Sequence, residues 1–170
     1  PVWREEAGDV IGLYDKWSKT EADDAVVIIY GTMYNNTAQM ADYLAGELWA
    51  RWVKDIKVYD SSKTELSYLF SGIWRCKYVV MGSCAYNAGM FPKMEALCNA
   101  MIHVCLKGRD LAIFGSGSWA GGGVRTLKGF AEQSGWELIC NPVEVLGRAT
   151  PEKLKEFGAI ADAIAKKING

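Results

Sequence analysis

Three short segments hold the residue types that could bind a ligand. The first, Thr32-Met33-Tyr34-Asn35-Asn36-Thr37, follows the branched apolar run Val26–Tyr30 and leads into a helical pattern. It offers hydroxyls at Thr32, Tyr34 and Thr37 and amides at Asn35 and Asn36. The second is Ser83-Cys84-Ala85-Tyr86-Asn87-Ala88-Gly89. The third, Ser116-Gly117-Ser118-Trp119-Ala120-Gly121, follows Gly115 and runs into Gly122. Backbone N–H groups at a helix start can hold a phosphate without a cationic side chain, and the first segment is composed for that. It lacks the lysine and spacing of a P-loop, and only Gly31 stands near where a dinucleotide fold would carry GxGxxG.

The second and third segments share a design, one aromatic ring among small residues. Small residues let backbone groups approach a flat ligand, and Tyr86 and Trp119 can offer rings to it. An isoalloxazine needs that combination: a planar slot, backbone hydrogen bonds to its polar edge, and no strong nucleophile close by. The three segments together are therefore read as a site for flavin mononucleotide (FMN), with the phosphate at the first and the ring between the other two. Ser83, Ser116 and Ser118 have no histidine or elbow motif to activate them. No paired carboxylates occur in the segments, and Cys84 is read as a lining residue. No side chain is assigned a catalytic role; the cofactor would carry the chemistry.

Elements to position these segments are legible in the hydrophobic pattern. Strands are expected at Val26–Tyr30, Ile56–Tyr59, Tyr78–Gly82 and Asp110–Gly115. A fifth, made of Trp136–Ile139 and Val143–Leu146, is interrupted at Pro142, which cannot donate to a ladder. The intervening stretches carry helical stripes. Met40, Ala41, Leu44 and Leu48 mark the first, and Leu66, Leu69, Phe70 and Ile73 the second. Met94, Leu97, Cys98, Met101, Ile102 and Cys105 are expected to face the core after Pro92, with His103 off the stripe. Ser83–Phe91 is expected as a long polar loop and Ser116–Gly123 as a glycine-rich one. Gly135 fits the end of the helix through Val124, Leu127 and Ala131. Thr150 and Pro151 fit the start of a last helix through Leu154, Phe157, Ala161, Ile164 and Ile168. Alternation of short apolar strands with helices specifies a doubly wound α/β domain with a parallel sheet. In such a sheet all three segments lie at one edge, where ligands bind.

Residues 1–24 stand apart. Val10, Leu13, Tyr14 and Trp17 make a lead-in helix with one apolar face. Two readings stay open for it: a helix packed on its own domain, or a connector whose face packs partly elsewhere. Half of the 170 residues are apolar and 23% are charged, as in a globular domain with a full core. The formal net charge of −1 leaves no basic footprint for nucleic acid. No apolar run approaches the roughly 18 residues of a membrane span, and Pro1–Asp9 lacks the apolar core of a signal peptide. The five cysteines have no CxxC spacing and are read as reduced thiols, so a cytoplasmic location is expected. One histidine cannot build a multi-histidine metal site, and no metal is expected. Pro1 in place of methionine is read as processing or excision.

The runs GTMYNNT, GSCAYNAG and FGSGSWAGGG resemble the flavodoxin superfamily. They look most like the C-terminal flavodoxin domain of flavodiiron proteins, the A-type flavoproteins. The resemblance spans Ala25 to Ile168. It implies a three-layer α/β/α sandwich on a five-stranded parallel sheet of order 2-1-3-4-5. It implies that residues 32–37 surround the FMN phosphate, that residues 83–89 line the ribityl chain and ring, and that residues 116–121 form the far wall. PVWR and the helix with YDKW resemble the junction after a metallo-β-lactamase-like diiron domain. By that resemblance residues 1–24 are a linker and 25–170 the FMN domain. The whole protein would take electrons from a rubredoxin or flavin reductase and pass them to the diiron centre. That centre would reduce dioxygen to water or nitric oxide to nitrous oxide, in a head-to-tail homodimer. Three positions depart from the usual pattern: Asn35 replaces a glycine, Cys84 a proline or serine, and Gly117 an aromatic residue. The alternatives are a free-standing flavodoxin-like carrier and an NAD(P)H-dependent flavin or quinone reductase. A receiver-like signalling module is disfavoured, because the acidic cluster it needs after the first strand is missing.

Overall fold

The computed structural model describes residues 7–118 and 121–170. Helix α1 (Ala7–Ser18) precedes a regular alternation of strands and helices. The sheet is formed by β1 (Asp23–Gly31), β2 (Ile56–Asp60), β3 (Cys76–Tyr86), β5 (Asp110–Gly117), β6 (Glu137–Leu138) and β7 (Val143–Leu146), all paired in parallel. The path across it is β2-β1-β3-β5-β6, and β7 also pairs with β5, so β6 and β7 together fill the fifth position. That is the expected 2-1-3-4-5 order, with the interruption at Pro142 where it was read. β4 (Gly89–Met90) pairs antiparallel with the end of β3. Between the strands run α2 (Asn36–Ala50), α3 (Leu66–Arg75), α4 (Pro92–Val104) and α5 (Gly123–Ser134), and α6 (Pro151–Lys155) and α7 (Phe157–Asn169) follow β7. No described helix is long and apolar enough to cross a membrane.

The strand sequence sorts its own two faces. Successive side chains on a strand point to opposite sides. Val27, Ile29, Val79, Met81, Leu111 and Ile113 therefore join one core with α3, α4 and α5. Val26, Ile28, Tyr78, Val80, Ala112 and Phe114 join the other with α2 and α7. Both faces being covered is why Val26–Ile29 reads as an unbroken apolar run and is fully buried. Phe114 and Phe157 meet edge to face at 5.5 Å and tie the sheet to α7.

Several boundaries differ from the sequence reading. β3 continues past Gly82 to Tyr86, so the expected polar loop is mostly a hairpin. β5 continues to Gly117. Cys105 is exposed rather than in the α4 stripe: it caps α4 with φ of 52°, which turns its side chain off the helix face. Ile102 is only half-buried. The last helix breaks at Glu156 into α6 and α7, and Ile160 and Ala165 join its buried face.

At the opposite end of the sheet from those loops sits Arg109, 2% exposed. Its Nε donates to Ile73 O at 3.0 Å, its Nη2 to Trp74 O at 2.6 Å and its Nη1 to Thr20 O at 3.1 Å. Ile73 and Trp74 belong to the last turn of α3, whose carbonyls lack helical partners and carry the negative end of the helix dipole. One guanidinium thus fastens the end of α3 and the approach to β1 to the start of β5. Above it, Asp23 bridges Lys16 and Arg75, which hold its carboxyl below the ordinary value.

Helix α1 itself packs loosely. Ile11 is 69% and Tyr14 66% exposed, and Val10 and Trp17 are half-buried. Leu13, Tyr14 and Trp17 line an open cleft of about 690 Å³ against Phe70 and Trp74 of α3. The apolar face of α1 is thus only partly covered by the described residues.

Replacing Arg109 by alanine would strand three carbonyls, of which that of Ile73 is buried, and the expected loss is about 3 kcal/mol. Lysine would recover little of it, because its ammonium lacks the planar fork that reaches all three. Urea unfolding midpoints of the two variants check this; a loss below about 1 kcal/mol for Arg109→Ala would contradict the role assigned to it.

Candidate functional site

Register brings the three segments together. Gly31 lies opposite Ser83, and Ser83 opposite Gly115. The chain leaves the sheet just beyond this row on β1, β3 and β5, so one edge collects residues that lie 84 positions apart in sequence.

The first segment leaves β1 after Gly31 and enters α2 at Asn36. Asn35 takes φ 67° and ψ 0°, the left-handed conformation expected for asparagine in a turn. Its side chain makes no cap hydrogen bond, so the first N–H groups of α2 have no side-chain partner of their own. The Thr32 hydroxyl is buried and has no hydrogen-bond partner among the described residues. An unpaired buried hydroxyl carries a desolvation cost that a ligand oxygen would relieve. Thr37 is fully buried, and its Oγ1 lies 3.0 Å from Ser116 Oγ. This bond links the first segment to the third. Between two hydroxyls one donates and the other keeps its own proton, which remains able to donate outward. Met33 and Tyr34 are 46% and 85% exposed, and Asn36 is half-buried.

The second segment is a hairpin. Ala85 pairs with Met90 and Tyr86 with Gly89, and Asn87 and Ala88 turn the chain with φ of 44° and 60°. Both turn residues having positive φ is what a two-residue hairpin prefers. Ser83 is fully buried and spends its hydroxyl on the chain itself: it accepts from Phe91 N at 2.8 Å and donates to Cys84 O at 2.9 Å. Ser83 thus fixes the base of the hairpin rather than offering a free donor. Cys84 is buried, and burial pushes its thiol up, outweighing the backbone hydrogen bonds that favour a thiolate. A neutral thiol is a weak nucleophile, in keeping with a lining role. Ala85 is half-buried; Tyr86, at 40% exposure, presents its ring at the edge.

In the third segment Ser116 and Gly117 end β5 and Ser118 is exposed. Trp119 and Ala120 lie outside the described residues. Gly121 and Gly122 lead into α5. A Cβ on Gly122 would stand 2.5 Å from Ala88 C and O and 2.8 Å from Gly89 N. The third segment therefore backs directly onto the hairpin turn, backbone against backbone. Arg125, in the first turn of α5, donates from Nη2 to Ala88 O at 2.7 Å and holds the same turn.

Two residues were not singled out from the sequence, Arg125 and Glu144. Glu144 lies opposite Gly115 on β7, in the same row as Gly31 and Ser83. The alternation Val-Glu-Val-Leu placed it on the face opposite Val143 and Val145, but only the register places it beside the third segment. The arrangement contains an uncapped helix start, a buried hydroxyl without a partner, and two loops of small residues in backbone contact. It can bind an anion at one end and a flat group beside it.

Residues 28–162 match the family model described as flavodoxin. The anaerobic nitric oxide reductase flavorubredoxin of Escherichia coli is 29% identical over 138 residues, which is 81% of this chain and 29% of that protein. The chain thus spans under a third of the length of the curated relatives it matches. Among solved structures, the rubredoxin oxygen:oxidoreductase of Desulfovibrio gigas superposes with a TM-score of 0.88 at 22% identity, covering 95% of this chain and 40% of that one. The flavodiiron protein of Giardia intestinalis gives 0.84 at 21% identity, covering 98% and 43%. A flavodoxin from the domain Archaea gives 0.73 at 20% identity, covering 86% and 99%.

Gly122→Ala would force the hairpin turn away from α5, because both contact partners are backbone. The expected cost is about 1–3 kcal/mol, read as a lower urea midpoint. An unchanged midpoint would show that the turn yields freely and does not set the width of the slot.

Proposed function

The chain belongs to the flavodoxin family, and from that premise we propose that it binds FMN and serves as an electron-transfer domain. The observation that carries the reading is the buried Thr32 hydroxyl without a partner, set beside the uncapped start of α2. A phosphate supplies acceptor oxygens for that hydroxyl and for the α2 N–H groups, and the helix dipole favours its charge. Thr37 and Ser116 would hold the segment closed around it. The hairpin 83–89 and residues 116–121 would flank the ring, with Tyr86 on one side and small residues giving backbone access on the other. When bound, FMN supplies one- and two-electron redox chemistry that no side chain here can perform.

Within the family, the flavodiiron branch is the better reading. Rubredoxin-linked and flavodiiron structures align with 95% and 98% of the chain, against 86% for the archaeal flavodoxin. The flavodoxin model itself begins only at residue 28, so the lead-in helix calls for another explanation, and a connector supplies one. In this reading the domain accepts electrons from a rubredoxin or a flavin reductase. It delivers them to a diiron centre on a preceding domain of the same polypeptide, in a head-to-tail homodimer. There dioxygen or nitric oxide is reduced. The fragment by itself is then an electron carrier without the terminal reductase activity.

Purified protein is expected to show flavin bands near ~370 and ~450 nm, and to release FMN on denaturation. A colourless protein that takes up no added FMN would sink the proposal.

Thr32→Val is expected to weaken FMN binding about tenfold while leaving the stability of the ligand-free protein unchanged or slightly raised, since the hydroxyl has no protein partner to lose. Riboflavin, which lacks the phosphate, should bind both forms equally. Fluorescence titration with the two ligands checks this; an equal loss for riboflavin would move Thr32 away from the phosphate.

A further inference from the structure

We propose that Arg125 is a positioning residue for the ligand. By holding the strained tip of the 83–89 hairpin, it keeps that wall of the slot set for a flat ring, so that binding does not have to order it. The inference deepens the FMN reading above and rests on it. Three observations meet at one turn.

The first is strain. Asn87 and Ala88 take φ of 44° and 60° at the tip of a hairpin closed by Tyr86 and Gly89. Asparagine tolerates that region, but the second position is the one a glycine usually fills. An alanine there brings its Cβ against the following carbonyl oxygen, and left to itself it returns to negative φ. The second is support from one side. The start of α5 lies along the hairpin, glycine backbone against it. A Cβ on Gly123 would stand 2.7 Å from Ser83 O, and one on Gly122 2.5 Å from Ala88 C and O. These contacts stop the hairpin from moving toward α5 but do not hold it there. The third is Arg125, whose Nη2 donates to Ala88 O at 2.7 Å. Among the described residues, no other side chain bonds residues 86–89, and this bond is charge-assisted.

The tip is thus fixed by opposition: glycine backbone blocks it from behind, and the guanidinium draws it back onto that wall. Without Arg125 the tip populates relaxed forms, and a ligand must first restore the held one. Apparent affinity then falls by the fraction of molecules that remain held. The hairpin flanks the ring, so the loss falls on a flavin with or without its phosphate. Glycine takes positive φ as readily as negative. With glycine at 88 the turn keeps its shape unaided, and Arg125 matters less.

The test is a double-mutant cycle of Arg125→Gln and Ala88→Gly. Both positions are exposed, so neither change disturbs the core. Each ligand-free protein is titrated with FMN and with riboflavin by flavin fluorescence. Arg125→Gln is expected to weaken both ligands about fivefold, and less than about twofold once Ala88→Gly is also present. A loss of the same size in both backgrounds would give Arg125 a role unconnected with the strained turn and overturn the inference. A loss confined to FMN would make Arg125 a charge acting on the phosphate, which overturns it as well. No loss for either ligand would show that the glycine contacts hold the tip without the guanidinium. Wild-type protein that binds neither ligand would instead strike down the FMN reading itself, and this inference with it.

Discussion

Parallel pairing in strict register is the constraint on which the site depends. Once Gly31 lies against Ser83 and Ser83 against Gly115, three segments distant in sequence share one edge. Burial enforces that register. A slip of one residue would exchange the apolar sets of the two faces and send Val26 and Ile28 to the helices that receive Val27 and Ile29. Both faces are apolar, so the penalty is steric, a matter of shape against α2 and α7 on one side and α3, α4 and α5 on the other. Packing that tight tolerates little misfit. The core is thus what aims the loops.

What the sequence disclosed, and what it withheld, follows from the range of the forces involved. Strand and helix identity depends on local periodicity, and Val26–Ile29 or the α2 stripe could be read directly. The sheet order came from resemblance, and the pairing of strands agrees with it. The hairpin at residues 83–90 reads as a loop in sequence because Ser-Cys-Ala-Tyr-Asn-Ala-Gly has neither a hydrophobic alternation nor an Asn-Gly turn. What makes it a hairpin is Ser83 bonding Phe91 and Arg125 bonding Ala88, both contacts across sequence. Arg109 was passed over for the same reason: nothing in its neighbours signals that three distant carbonyls await it. At the site, the positions of the three segments were readable, while the division of labour within them was not. Ser83 and Thr37 both carry hydroxyls, yet one is committed to the fold and the other is shared with Ser116.

In the proposed reading, the site would favour an anion without a charged side chain. It contains no lysine or arginine in the first segment. Attraction would come from backbone N–H groups and one unpaired hydroxyl, both already oriented by the strand-to-helix turn. Such donors need no reorganisation when a ligand arrives. Their number and direction select a tetrahedral group over a lone charge.

The loose seating of α1 has a consequence for how the two ends of the domain respond to stress. A twelve-residue helix is marginal in water without tertiary support, and α1 leaves Ile11 and Tyr14 largely in solvent. Its amides should exchange with solvent through local openings that leave the sheet intact. Protection should rise after Thr20, where the Arg109 clasp begins. The domain therefore has a soft arm joined to a hard body at a defined residue. Force or thermal motion arriving through the N-terminus would be absorbed in α1, at the far end of the strands from the loops, and would leave the slot geometry untouched.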